Sequence, residues 1–280
     1  MACDANATGN TMAASHLLQL GEDQQRAIFQ LLSNALRPAV ALQLSACCRE
    51  LRDVSESGRT ELRQRYGAAR RLCYQVRESV TAVSEARELR WYGQGLTAAH
   101  LATLRMLMST NALPQLNVLN ISINRFGAEG MQALCQDLGQ GSMPRLRSLD
   151  LTGNALGSVG AEALAAALGR GALLHIEILN LGRNNIGDQG LVALAPQLRR
   201  LQALKQLYLH GNQIGEEGVE VLLAKLGERQ LKQLQTLNLK GNRIDDAGCD
   251  TLIAAFNGNG SAFPPLQVLR IEDKELRILD

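Results

Sequence analysis

The sequence predicts an α/β fold, a solenoid with a curved parallel sheet inside and helices outside, preceded by a small all-α segment. One motif recurs five times in succession, and its central asparagines lie 30, 30, 28 and 30 residues apart. Each copy changes midway from two-residue to four-residue apolar spacing, which indicates a strand followed by a helix. Residues 15–82 show no such period.

The fourth copy, LKQLYLHGNQIGEEGVEVLLAKLG beginning at Leu204, shows how each unit is built. Leu207 and Leu209 alternate as in a short strand with one buried face. Leu222 and Leu226 lie four residues apart, on one stripe of a helix. Neither element can bury its apolar face alone, so the units are expected to stack side by side.

An asparagine interrupts each copy at the point where the strand ends. There the chain turns and leaves backbone N–H and C=O groups without partners in the sheet. The side-chain amide of Asn212 both donates and accepts hydrogen bonds, so it can satisfy such groups in its own unit and in the next. Gly218 is expected to allow adjacent units to approach closely at the start of the helix. The predicted structural ladder comprises Asn124, Asn154, Asn184, Asn212 and Asn242.

The pattern L-x-x-L-x-L-x-x-N-x-L, followed by G-x-x-x-L-x-x-x-L, resembles the ribonuclease-inhibitor-like class of leucine-rich repeats over residues 113–262. The resemblance implies that the strands line the concave side of the solenoid. A degenerate first repeat precedes the five regular ones, with Gln94 in the place of the asparagine. Lys274 takes that place in a last unit, whose polar end EDKELRILD is expected to cap the core. The repeat domain is therefore predicted to span residues 83–280.

The residues before the repeats divide into two parts. Residues 1–14 are small and polar and are expected to be disordered, whereas residues 15–82 show helical apolar spacing. The start of this helical segment is similar to an F-box, although Gly21 stands where that family usually has proline and Leu51 where tryptophan is common. The similarity implies that a Skp-type adaptor binds Leu20, Ile28, Phe29 and Leu32. The alternative is a helical N-terminal cap that shields the apolar face of the first repeat.

The same segment carries five arginines with no acidic residue among them. They are Arg63, Arg65, Arg70, Arg71 and Arg77. Two interpretations remain open, a patch for an acidic partner or a solvated helix face.

Composition limits the classes of function. The formal charge of +2 and the 3% aromatic content give neither a strong field nor stacking platforms for nucleic acid. The first residues lack the pattern of a secretory signal, and no apolar run is long enough to span a membrane. Six cysteines occur without CxxC spacing, which is typical of reduced thiols. We therefore predict a cytoplasmic or nuclear chain, monomeric on its own and without membrane insertion.

No residue pattern indicates catalysis. The sequence contains no HExxH, GxSxG or phosphate-binding loop, and its four histidines are dispersed, without metal-ligand spacing to each other or to cysteine pairs. No catalytic residue, cofactor or metal is predicted, and the chain is not expected to be an enzyme.

The residues between the strand leucines are expected to point onto the concave face. There Arg183, Tyr208, His210, Lys240 and Arg243 would lie together over three neighbouring repeats, and tyrosine and arginine are enriched at interface hot spots. An acidic protein surface is the expected target, whereas the alternative is that polar residues simply keep an exposed sheet soluble. The candidate partner-binding residues are Asn180, Arg183, Tyr208, His210, Asn238, Lys240, Arg243 and Arg270.

Three roles follow from these features. The first is a non-catalytic interaction module, which the F-box similarity sharpens to a substrate-recognition subunit of an SCF-type ubiquitin ligase with a Skp-type adaptor and a substrate as partners. The second is a small-GTPase regulator, because Ran GTPase-activating proteins have similar repeats, although they are usually longer and end in an acidic segment that this chain lacks. The third is a structural subunit of a cytoskeletal or ciliary assembly.

Overall fold

The computed structural model describes residues 56–226, 231–257, 266–271 and 274–277. The chain divides into two compact units. The described part of the first comprises residues 56–84 with Thr110–Ala112, and the second runs over Glu85–Ser109 and onward from Leu113.

Two helices form the described part of the first unit, α1 over Glu56–Gln75 and α2 over Val80–Glu85. Helix α1 buries one stripe of apolar side chains, among them Leu62, Ala69 and Leu72. These residues recur at the spacing of a single helix face, so the opposite face of α1 is left to polar residues.

In the described part of the second unit, seven short strands form one parallel sheet in chain order, as the repeat predicted. The middle leucine of each strand aligns with its equivalent in the next, so that Leu179 lies between Leu149 and Leu207. The strands are β1 Glu88–Arg90, β2 Val118–Asn120, β3 Ser148–Asp150, β4 Ile178–Asn180, β5 Gln206–Tyr208, β6 Thr236–Asn238 and β7 Val268–Ile271.

A helix follows each of the first six strands, and neighbouring helices pack against one another. They are α3 Ala98–Ser109, α4 Gly127–Cys135, α5 Gly157–Gly169, α6 Gly187–Leu198, α7 Glu216–Leu226 and α8 Asp246–Asn257. The core lies between the strands and the helices, because both sets turn their leucines inward. Leu207 of β5 and Leu222 of α7, for example, are fully buried. The alternation confirms an α/β leucine-rich-repeat solenoid.

An eighth strand departs from the predicted pattern. Strand β8, over Lys274–Arg277, pairs antiparallel with β7, so that Lys274 aligns with Ile271. The sequence pattern predicted that Lys274 takes the place of a ladder asparagine in a further parallel unit. Strand β8 instead runs antiparallel to β7 at the edge of the sheet.

The five asparagines lie in one row, one per unit, and bond to each other's backbone. The side-chain oxygen of Asn184 accepts a hydrogen bond from the backbone N–H of Asn154 at 2.8 Å, and that of Asn212 accepts one from Asn184 at 2.9 Å. Asn154 and Asn242 continue the series, accepting from the backbone N–H groups of Asn124 and Asn212. The first member, Asn124, accepts from the backbone of the degenerate repeat at Leu96.

The side-chain nitrogens of the same asparagines donate to carbonyl groups on both sides. Asn212 donates to Leu209 of its own unit at 3.0 Å and to Leu181 of the preceding unit at 2.9 Å. Each amide therefore holds two adjacent turns together, in a row that is almost fully buried.

The glycines that recur near the start of each repeat helix allow a close approach between units. A Cβ on Gly190 would lie 2.6 Å from Cγ2 of Ile186 and 3.1 Å from the Cα of Ser158 in the preceding unit. A larger residue would push helices α5 and α6 apart, because atoms this close must shift.

Candidate functional site

The outward side chains of the strands form two ordered columns on the concave face. The strand register fixes the first column, since Asn180 aligns with both Asp150 and Tyr208. Its members are Arg90, Asn120, Asp150, Asn180, Tyr208, Asn238 and Arg270. Each lies next to a buried leucine in the strand and is itself half-buried or exposed.

The second column begins two residues later in each unit. Backbone hydrogen bonds continue the pairing there, with Arg183 N–H donating to the carbonyl of His210 at 2.7 Å and Gly211 N–H to that of Lys240 at 2.8 Å. The described members are Tyr92, Ser122, Thr152, Gly182, His210 and Lys240. Glu272, the seventh expected member, lies outside the described residues.

Side chains of the first column hold the second column in place. The carboxylate of Asp150 accepts hydrogen bonds from the backbone N–H and the hydroxyl of Thr152, at 2.9 and 2.6 Å. Asn120 makes the same pair of bonds with Ser122. Asn238 accepts from the backbone N–H of Lys240 at 3.1 Å. These bonds pre-organise the surface, which reduces the entropy lost when a partner binds.

His210 rests on the backbone of the neighbouring unit. A Cβ on Gly182 would lie 2.0 Å from Cε1 of His210, so only glycine leaves room for the imidazole ring there. Nδ1 of His210 is buried and has no hydrogen-bond partner in the described part of the chain. This burial lowers the pKa of His210, and the nearby Arg183 guanidinium lowers it further, while Asp150 partly opposes the change.

The structure brings most of the predicted cluster together. Arg183, His210 and Lys240 occupy three successive units, joined through their backbones. The hydroxyl of Tyr208 donates to Gln206 at 2.9 Å, which fixes its ring at the centre of the face. Arg243 lies in the turn three residues beyond Lys240, exposed, and donates to Gln213 at 2.9 Å. Arg243 is thus at the loop edge of the concave face.

Other predicted residues extend the face sideways. Asn180 lies beside Tyr208 in register, and its side-chain oxygen accepts a hydrogen bond from Gly182 N–H at 3.1 Å. Asn238 and Arg270 continue the first column on the other side. The four F-box-like positions, Leu20, Ile28, Phe29 and Leu32, lie outside the described residues.

Sequence reasoning missed two features of this face. One is Asp150, which holds Thr152 and contributes negative charge beside His210. The other is the space that Gly182, which has no side chain, leaves for the His210 imidazole ring. The role of Asp150 has a signal in the sequence. In several units an Asn or Asp lies two residues before a Ser, Thr, Gly or Lys, and such side chains can accept a hydrogen bond from the backbone N–H two residues later.

Acidification is expected to destabilise the fold through His210. Its pKa lies below the ordinary value of 6.5 in the folded state, so the unfolded chain takes up a proton that the folded chain resists. Stability should therefore fall as the pH drops below that value. Thermal melting at about pH 7.5 and about pH 5.5 measures this, and His210→Gln should lose less melting temperature on acidification than wild type.

The matched control for that experiment is His175→Gln, because the His175 side chain is exposed. If His210→Gln and wild type lose stability equally on acidification, the buried imidazole does not carry the effect.

The described residues offer little for chemistry. They contain no group of His, Cys, Asp and Glu side chains arranged to hold a metal ion. Burial raises the pKa of the Cys135 thiol to about 12 and, with the nearby Glu78, that of Cys73 to about 11, so neither is a thiolate nucleophile at neutral pH. No helix within these ranges combines the length and apolar character of a membrane span.

The comparisons with known proteins agree with the fold. Five segments match the model of the leucine-rich repeat family, at residues 113–135, 143–165, 172–195, 201–223 and 231–252. Each segment runs from the turn before a strand into the following helix. A search of curated proteins found no match. The five matches, together with the stacked strands and their row of asparagines, identify residues 113–252 as leucine-rich repeats.

Proposed function

We propose that the chain is a non-catalytic interaction module that grips a partner protein on its concave face. Leucine-rich repeats suggest a protein–protein interaction module. The observation that carries the proposal is a cluster of four side chains over three successive units. Tyr208, His210 and Lys240 lie on the two pre-organised columns, and Arg183 lies in the turn directly after Gly182. Tyrosine and arginine are enriched among the residues that carry most of the binding energy at protein interfaces.

The charge of the cluster favours an acidic partner surface. Arg183 brings one positive charge to the β4 unit, and Lys240 and Arg243 bring two to the β6 unit, with His210 in the β5 unit between them. Asp150 sits on the other side of Gly182. Complementary charge steers association and suppresses unsuited partners. We infer that the acidic part of the partner lies over the second half of the sheet, from β4 to β6.

The test is the loss of a partner on replacing single side chains. Partners of the full chain are collected by proximity labelling and then bound to the purified protein. Lys240→Glu and Tyr208→Ala should each weaken that binding about tenfold or more, which corresponds to about 1.4 kcal/mol, without lowering the melting temperature much. Lys232→Glu is the control, because Lys232 is an exposed lysine of the repeats that lies outside both columns. A partner that binds Lys240→Glu as tightly as wild type does not use this face.

A finer version of the proposal makes the chain a substrate-recognition subunit of an SCF-type ubiquitin ligase. It depends on Leu20, Ile28, Phe29 and Leu32, and stays a prediction from sequence. A pull-down with wild type should recover a Skp-type adaptor, and the double variant Ile28→Asp with Phe29→Asp should recover none, because a charged pair cannot enter an apolar interface. An empty wild-type pull-down would remove this version and leave concave-face binding in place.

Two alternative roles are separated by their own assays. A GTPase regulator should accelerate GTP hydrolysis by a small GTPase, and no acceleration with candidate GTPases rejects it. A structural subunit of a cytoskeletal or ciliary assembly should co-purify with that assembly in fixed proportion, whereas a substrate receptor should bind transiently.

A further inference from the structure

Helix α1 separates its arginines by face. Arg63, Arg70 and Arg71 are exposed, as is Tyr74, whose side chain is 87% exposed. At 3.6 residues per turn these four positions fall within an arc of about 100°. We call them the arginine face.

Arg65 behaves differently from these three arginines. Arg65 lies on the side of α1 that carries the buried stripe, is partly buried, and pairs with Glu61 one turn earlier. In the described part of the chain Arg63, Arg70 and Arg71 form no ion pair and no side-chain hydrogen bond. Their charges are therefore available to a partner, whereas that of Arg65 is used within the helix.

A glycine shapes the middle of this face. Gly67 lies one turn after Arg63 and one turn before Arg71, and Nη1 of Arg71 would be 3.6 Å from a Cβ at that position. The Arg71 side chain thus folds back over Gly67. The missing side chain leaves room for that guanidinium on the helix surface.

We propose that the arginine face binds an acidic segment of a partner protein. Guanidinium groups pair carboxylates through two parallel hydrogen bonds, which fixes geometry as well as charge. The face extends for about 16 Å along the helix axis. An extended peptide covers that length with about five residues, so a short acidic run is sufficient to meet all three arginines.

Other polyanions fit the face less well. A membrane-surface helix inserts an apolar face among the lipids, but the apolar stripe of α1, with Leu62 and Leu72, is already buried in the protein. Non-specific DNA binders neutralise roughly six to ten phosphates, and the face supplies three arginines, in a chain whose net charge is only +2. Three clustered guanidinium groups and one tyrosine therefore match an acidic peptide best.

The proposal is tested on the full chain with a labelled dodecapeptide of alternating glutamate and serine, followed by fluorescence anisotropy at about 50 mM salt. The same peptide with glutamine for glutamate, and an oligothymidylate, are the comparison probes. The glutamate peptide should bind and the glutamine peptide should not. The triple variant Arg63→Gln, Arg70→Gln, Arg71→Gln should weaken binding about tenfold or more.

Two control variants locate the binding. Arg65→Gln removes an equal charge from the other side of α1, and Lys240→Glu alters the concave face, so both should keep the wild-type affinity for the peptide. Circular dichroism confirms that each variant is folded. Unchanged affinity in the triple variant, an equal loss in Arg65→Gln or in Lys240→Glu, or tighter binding of oligothymidylate than of the glutamate peptide, would each overturn the proposal.

Discussion

Replacing Asn184 by alanine is expected to lower the free energy of unfolding by about 2–4 kcal/mol. The side-chain oxygen of Asn184 is the partner of the buried N–H of Asn154, which would be left without one. The carbonyls of Leu151 and Leu181, which also accept from Asn184, keep a second bond from the neighbouring ladder asparagines. Most of the cost therefore comes from the Asn154 N–H, which is left buried without a hydrogen-bond acceptor. The hydrogen bonds that the Asn184 amide no longer donates and the cavity left by its side chain add to this cost.

Urea unfolding followed by circular dichroism measures this cost. The control is Asn117→Ala, because the Asn117 side chain is exposed and its backbone is outside the left-handed region, so that alanine fits there without strain. Its effect should stay within about 0.5 kcal/mol. Equal losses in the two variants would mean that the buried row does not hold the units together.

Replacing Leu207 by alanine should cost about 2–5 kcal/mol, through lost burial and the cavity that remains. Leu207 is fully buried and lies in register between Leu179 and Leu237. The adjacent Tyr208→Ala is the natural comparison, because its side chain is on the opposite side of the same strand. The melting temperatures of the two variants distinguish the buried face of strand β5 from its solvent-facing side.

The two substitutions should therefore affect different properties. Leu207→Ala lowers the melting temperature and weakens partner binding only indirectly, whereas Tyr208→Ala weakens binding and leaves the melting temperature nearly unchanged. If Tyr208→Ala unfolds the protein as readily as Leu207→Ala does, the assignment of the two sheet faces is reversed.

The repeated positions made the solenoid predictable. Leu179, Asn184 and Gly190 recur at equivalent places in every regular unit, and one physical constraint explains each of them: burial in the sheet, bonding of the turn, and close helix approach. Because each constraint recurs in five copies, a comparison of the copies within this one sequence shows which positions it fixes.

Features that occur once were harder to predict. The spacing of strand β8 resembles that of a further parallel unit, and only the backbone shows that it pairs antiparallel with β7. The contact of His210 with Gly182 joins residues 28 positions apart in different units. Arg63 and Arg65 look alike in sequence, and the phase of α1 separates them.

The most direct test of concave-face binding is site-specific photocrosslinking. A benzoylphenylalanine in place of Tyr208 probes the centre of that face, and one in place of Val192, exposed on helix α6, probes the helix side. With the partner recovered by proximity labelling, the account predicts a crosslinked complex from position 208, reduced by Lys240→Glu, and none from position 192. A complex formed from position 192 and not from position 208 would contradict it.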